Sequence, residues 1–103
     1  MGSVVMVRYE VKPEAAADNE ALVRAVYEEL AATQPAGLSY VTFALDDGVG
    51  FVHIATNDTD DGRSPLERVP AFGRFQEGLR DRLVAPPTFT TIRTVGSYPA
   101  VDA

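Results

Sequence analysis

Cysteine is absent from the 103-residue chain, which excludes disulfides and thiolate chemistry. Histidine occurs once, too few for a His-rich metal site, so structural zinc is not expected. Tryptophan is missing altogether. Basic residues are scarce: nine Lys and Arg against fifteen Asp and Glu give a formal charge of −6. The nine are scattered, so the footprint a phosphate backbone requires is lacking and nucleic acid is not an expected partner. No apolar run approaches the roughly 20 residues needed to cross a bilayer. No charged-then-apolar leader precedes the first strand-like segment, and the expected location is the cytoplasm, with no membrane partner.

What the chain does have is 46% hydrophobic and 23% charged residues, at a length that suits one core and a single domain over residues 1–103. A domain this small buries only about two-thirds of its unfolded surface. A second copy covering an apolar sheet face is the natural supplement, and a homodimer is the expected assembly.

Residues 4–11 place Val5, Val7, Tyr9 and Val11 on one parity and Arg8 and Glu10 on the other, the alternation of a half-buried strand. Pro13 stops it. From about Ala15 to Gln34, Leu22, Val26 and Leu30 recur at helical spacing beside Val23 and Tyr27, with Glu20, Arg24 and Glu28 outside and Glu20–Arg24 as an i,i+4 pair. Pro35-Ala36-Gly37 terminates this helix. Two β-rich runs follow, residues 39–46 and 49–56, joined by Asp47-Gly48, a dipeptide that accepts positive φ at both centres of a type I′ turn. That turn sets Thr42 opposite His53, Ala44 opposite Phe51 and Tyr40 opposite Ala55, and gives Val41, Phe43, Leu45, Val52 and Ile54 a common apolar face.

Residues 57–63 are polar and acidic, an exposed loop; the spacing of Asp58, Asp60 and Asp61 lacks the continuing ligands of a calcium loop, so they read as solvated acids. Ser64-Pro65-Leu66-Glu67 has the form of a capping box, with Glu67 reaching back to a free amide. Pro70 restarts a second helix with Phe72, Phe75 and Leu79 along one side, weakened by Gly73 and Gly78. Pro86-Pro87 closes the region and residues 89–98 form a fourth strand. The order is βαββαβ: an α+β, ferredoxin-like four-stranded antiparallel sheet with two helices on one face.

Particular landmarks sit on this order: Tyr9-Glu10-Val11-Lys12-Pro13 entering the first helix, Phe51-Val52-His53-Ile54-Ala55 in the third strand, Pro70-Ala71-Phe72 opening the second helix, and Pro86-Pro87 before a strand ending in Tyr98. Through them the chain resembles, over nearly all of residues 4–98, the antibiotic biosynthesis monooxygenase-like family of the dimeric α/β barrel superfamily. The resemblance implies two sheets packed face to face across a twofold axis and a cavity between each sheet and its helices. Some members oxidise aromatic substrates without a cofactor, some degrade haem, and many have no known activity. Ala55 and Asn57 stand where many members have Glu and Trp, and no histidine precedes the Pro-x-Phe segment. This chain therefore lacks the residues with which the haem-degrading branch would ligate and distort its substrate, and no cofactor is expected.

His53 is the side chain best suited to move protons near neutral pH. Two roles are open to it. It could face a cavity with Tyr40 and Thr42 and take a proton from a phenol-like substrate, or it could hydrogen-bond Thr42 within a dimer seam, since buried polar groups must be paired in either case. Tyr27 lies among the core positions of the first helix and could turn its hydroxyl into the same cavity. Phe72, Phe75 and Phe43 are candidates to line an aromatic-accepting pocket or to fill the core. Arg8 and Arg93 could hold an anionic ligand, or Arg93 could pair with Glu10 across the first and fourth strands.

The leading functional expectation is a cofactor-independent monooxygenase or related enzyme acting on an aromatic or polyketide-like compound, with His53 and Tyr40 catalytic and Thr42, Tyr27, Phe72 and Phe75 against the substrate. Its rival is a non-catalytic ligand-binding or stress-related barrel. An enzyme should show an enclosed space of a few hundred Å³ on which His53 and a second polar group converge, whereas a purely structural member should fill that space with side chains.

Overall fold

The β-branched alternation at the start of the chain forms strand β1, Ser3–Glu10. A computed structural model describes residues 3–99. After a short 3-10 turn at Pro13–Ala15 comes α1, Ala16–Thr33, then β2, Leu38–Ala44, and β3, Gly50–Asn57. A 3-10 turn at Pro65–Arg68 leads into α2, Pro70–Glu77, followed by a single turn, α3, Leu79–Arg82, and the last strand, β4, Thr88–Ile92. The sheet order is β2-β3-β1-β4 and every pairing is antiparallel. This is the ferredoxin-like arrangement that the βαββαβ order demands, with the helices on one face.

The register is the one expected of the hairpin: Tyr40 opposite Ala55, Thr42 opposite His53, Ala44 opposite Phe51. The turn that produces it is different. Gly48 has φ 80 and Asp47 has no positive φ, so the type I′ form is not adopted. The Gly48 amide donates to the Leu45 carbonyl at 3.1 Å, and Asp47 Oδ1 accepts from the amides of Val49 and Gly50. The aspartate side chain thus closes a four-residue loop and leaves the two-residue alternation of both strands in phase.

Helix α1 ends as its sequence indicates. Gln34 turns left-handed at φ 46 and donates its amide to the Leu30 carbonyl. Gly37 follows at φ +81, where a Cβ would meet the Asp58 carbonyl oxygen at 2.5 Å, so this position accepts no side chain without displacing the chain after β3. Ser64 caps the next turn by accepting from the Leu66 amide at 3.2 Å, but the return bond from Glu67 is not formed. The second helix breaks at Gly78 into α2 and α3; a Cβ there would meet Arg82 Nη1 at 3.0 Å, so the glycine makes room for that guanidinium.

Two further expectations are corrected. The fourth strand stops at Ile92 rather than Tyr98, because ladder pairing with β1 runs out at Val4. Arg93 therefore lies at the opposite end of β1 from Glu10, and the antiparallel register forbids the Glu10–Arg93 pair.

The core lies between the sheet and the helices. Val23 and Val26 of α1, Ala71 and Phe75 of α2, Leu66 and Val69 from the turn before it, and Tyr9, Val11 and Phe51 from the sheet are all buried. Each large aliphatic or aromatic side chain withdrawn from water contributes about 1.5–3 kcal/mol. The other sheet face is formed by the opposite parity, including Val4, Met6, Val41, Phe43, Val52, Ile54 and Ile92. Phe43 is 51% exposed and Val41 42%, which removes Phe43 from any cavity on the helix side.

Candidate active site

His53 stands at the middle of β3 on the parity that faces the helices and is 5% exposed. A polar side chain placed there has to find its partners inside the protein, and both ring nitrogens do. Nε2 lies 2.7 Å from the Tyr9 hydroxyl. Nδ1 lies 2.5 Å from the Tyr40 hydroxyl and 3.2 Å from Thr42 Oγ1. Register explains the convergence: Thr42 is the direct cross-strand partner of His53, Tyr40 is two residues along β2, and Tyr9 is diagonal to it on β1.

The network continues on both sides. Tyr27 of α1 reaches Thr42 Oγ1 at 2.8 Å and stacks on Tyr40 at 5.3 Å between ring centroids. On the other side, Asn19 Nδ2 donates to the Tyr9 hydroxyl at 3.0 Å, and Arg82 Nε donates to Asn19 Oδ1 at 3.0 Å. Arg82 also donates to the Phe75 carbonyl at 2.8 Å and sits 5.3 Å from the centre of that ring. Six side chains from two strands, α1 and α3 join His53 in one string, buried at Tyr9, Asn19 and Arg82 and half-buried at Tyr40, Thr42 and Tyr27.

Burial dictates the charge states. It holds the His53 imidazole down at about 4, so the ring is neutral near pH 7. It pushes the Tyr9 phenol up to about 12, against the lowering influence of Asn19 and Arg82. Tyr40 is raised as well, first by burial and then by the neighbouring Tyr27, and Tyr27 is raised by its own burial. His53 and the three tyrosines rest neutral, with the Arg82 guanidinium as the charged end of the string.

Beside it is a cavity of about 300 Å³, lined by Tyr9, Tyr40 and His53 on one wall and by Leu66, Phe72, Phe75 and Leu79 on another, with Phe89 at its margin. Phe72 and Phe75 stack at 6.0 Å, and Tyr40 meets Phe72 edge-on. The surface facing the space is mostly apolar, and besides the Tyr–His–Tyr wall Ser64, Glu67 and Gln76 border it. Asn57, four residues from His53 on the same parity of β3, also borders it, and its Oδ1 is buried with no hydrogen-bond partner. A larger concavity of about 530 Å³ lies between the end of α1 and residues 59–70, but its margin is formed by exposed groups such as Asp60, Asp61, Arg63 and Arg68. Asp61 there is taken up by the Arg63 amide and by Arg68 at 3.7 Å, as solvated loop acids are.

Of the residues expected at the site, His53, Tyr40, Phe72 and Phe75 come together on the cavity. Thr42 and Tyr27 join the hydrogen-bond string but border other grooves, behind Tyr40. Tyr9, Asn19 and Arg82 were not singled out by the sequence. Asn19 had a signal: it is four and seven residues before Val23 and Val26, on the buried stripe of α1, where an amide must be bonded to something. Arg82 likewise follows Phe75 and Leu79 by seven and three.

A ferredoxin-like α+β fold whose central histidine and flanking tyrosines form one wall of an apolar cavity defines the class of molecule. No family model matches the chain, and no curated protein matches it. Solved structures do. Rv0793 from Mycobacterium tuberculosis is 17% identical with a TM-score of 0.71, over 95% of this chain and 99% of that one. A protein described as an antibiotic biosynthesis monooxygenase is 21% identical with a TM-score of 0.69, over 93% and 100%. SnoaB, a cofactor-independent oxygenase from Streptomyces nogalater, solved as a mutant, is 20% identical with a TM-score of 0.64, over 96% and 98%. The fold is that of the antibiotic biosynthesis monooxygenases, the family that the strand and helix landmarks resemble; at these identities the likeness is one of fold.

Proposed function

We propose that the chain is a cofactor-independent monooxygenase, or a related small-molecule enzyme, that takes an aromatic or polyketide-like compound into the cavity between sheet and helices. The observation that carries this reading is the junction of a neutral His53, bonded through Nδ1 to Tyr40, with an apolar aromatic-walled space of about 300 Å³. That volume is at the lower end of ordinary small-molecule sites. Phe72 and Phe75 offer ring faces to a flat substrate, and His53 and Tyr40 handle the proton. Loss of a proton from an acidic phenol, or from the carbon it activates, leaves an anion that gives electrons to dioxygen. Oxidation of such a CH₂ centre to a carbonyl places one oxygen atom in the product and the other in water. The protein acts as a homodimer through its open sheet face.

A non-catalytic ligand-binding role is favoured by one observation: each nitrogen of His53 is already engaged by the protein. Oxygen uptake separates the two readings. A panel of phenols, hydroquinones and anthrones is offered to the wild type, His53→Gln and Tyr40→Phe. The enzyme reading expects uptake by the wild type that falls about 100-fold or more in either variant, the usual scale of positioned proton transfer. Panel compounds that bind in the cavity without any oxygen uptake leave the binding role.

A further inference from the structure

The string of hydrogen bonds through His53 has a direction, and its source is distant from the cavity. Arg82 can only donate. Its Nε bond to Asn19 therefore fixes the amide with Oδ1 toward Arg82 and Nδ2 toward Tyr9. Asn19 is fully buried, and its amide has no freedom to turn without leaving the guanidinium against another donor. Tyr9, 5% exposed, thus accepts from Asn19, and its own hydroxyl hydrogen needs an acceptor. The acceptor in reach is His53 Nε2, at 2.7 Å. Were Nε2 protonated instead, the Tyr9 hydrogen would be buried unpaired, which is strongly disfavoured.

We infer that Asn19, anchored by Arg82, is the positioning residue of this site: it makes Tyr9 a donor and so holds His53 in the tautomer protonated at Nδ1, with that N–H directed at the Tyr40 oxygen. The inference deepens the proposed function and rests on it only for what enters the cavity. Because the Tyr40 oxygen accepts from Nδ1, its own hydrogen goes either to the neighbouring Thr42 hydroxyl or, when a ligand is in the cavity, outward to it. The complementary ligand group is an acceptor, a carbonyl, quinone or ionised phenol oxygen. The pair then favours the ionised form of an acidic substrate by donating to its oxygen, and the proton passes to solvent, since His53 with Nδ1 protonated and Nε2 accepting from Tyr9 has no free lone pair for it.

Replacing Asn19 by aspartate reverses the logic at constant shape. An ionised carboxylate accepts from both neighbours, so Arg82 stays paired while Tyr9 turns its hydrogen toward Asp. The Tyr9 oxygen then becomes the acceptor, and the imidazole must present Nε2–H to it. With one histidine in the chain, a long-range 1H–15N spectrum of the untagged protein contains a single imidazole. At pH 7 the wild type is expected to show a pyrrole-type shift at Nδ1 and a pyridine-type shift at Nε2, and Asn19→Asp the exchanged pair. A wild type protonated at Nε2 overturns the inference, and this measurement stands whether or not the variant folds. A folded Asn19→Asp variant that keeps the wild-type tautomer overturns it too. Neither outcome depends on turnover, so the oxygenase reading stands or falls separately.

Discussion

Burying an imidazole at the middle of a strand couples folding to its proton. His53 titrates near 4 in the folded chain, held down by desolvation, and near 6.5 when unfolded. Between these values the unfolded chain binds the proton and the folded chain does not, so stability falls as pH falls. The contribution is fully present above about 6.5 and is lost by about 4, a difference on the order of 3 kcal/mol at about 1.4 kcal/mol per pH unit. Urea midpoints of the wild type should drop through this window, while a His53→Gln variant, neutral throughout, should be nearly flat across it. Parallel curves for the two proteins would mean that the imidazole charges without cost and is not sealed as the structure has it. At this scale the sequence was partly legible. His53 and Tyr40 stand out as the lone imidazole and a phenol on a matching parity, and hairpin register alone brings Thr42 across from His53. Asn19 and Arg82 were hidden because an amide and a guanidinium on a helix read as surface unless each is placed on the stripe that also carries Val26 or Phe75.

Helix α2 depends on α1 for more than apolar packing. It has eight residues and no side-chain cap of its own, and its N-terminal amides need an acceptor. Glu29 of α1 supplies one from outside: Oε1 accepts from the Ala71 amide at 2.9 Å while Oε2 takes Arg74 Nη2 at 2.9 Å. A carboxylate at a helix start gains both the bond and the favourable end of the dipole. The partly exposed ion pair adds little, typically below about 1 kcal/mol. Glu29→Ala should therefore cost about 1–2 kcal/mol in urea unfolding and Glu29→Gln, which keeps an acceptor oxygen, less than half of that. Equal losses in the two variants would assign the whole effect to charge. No local signal in the sequence reveals this cap, since residues 29 and 71 are joined only by the packing of α1 on α2. Elements with local causes were legible: the alternation of β1, the apolar spacing of α1, the register of the hairpin. The reach of β4 was not, because a strand ends where its neighbour stops pairing, and Phe89 to Tyr98 carry no record of where β1 begins.

The two faces of the sheet serve different ends, and this makes assembly separable from the site. The helix-side parity of β1 and β3 is consumed by the core and the His53 string. The other parity places Val4, Met6, Val41, Phe43, Val52, Ile54 and Ile92 on a face that no helix among the described residues covers, and the sheet's charged residues on it, Arg8 and Glu10, stand together near one end of β1. A contiguous apolar surface of this kind is costly on a monomer, and a self-complementary patch is satisfied by a twofold. A second copy laid on it closes the barrel without touching His53, which points through the sheet to the opposite side. The chain is expected to sediment as a dimer at micromolar concentration, and Phe43→Asp, which buries a carboxylate in the seam, as a monomer. Because the substitution is on the far face, the single-histidine 15N signature should be unchanged in that monomer. A wild type that sediments as a monomer removes the dimer, and a Phe43→Asp monomer with an altered imidazole signature would show instead that the seam helps to hold the hydrogen-bonded string in place.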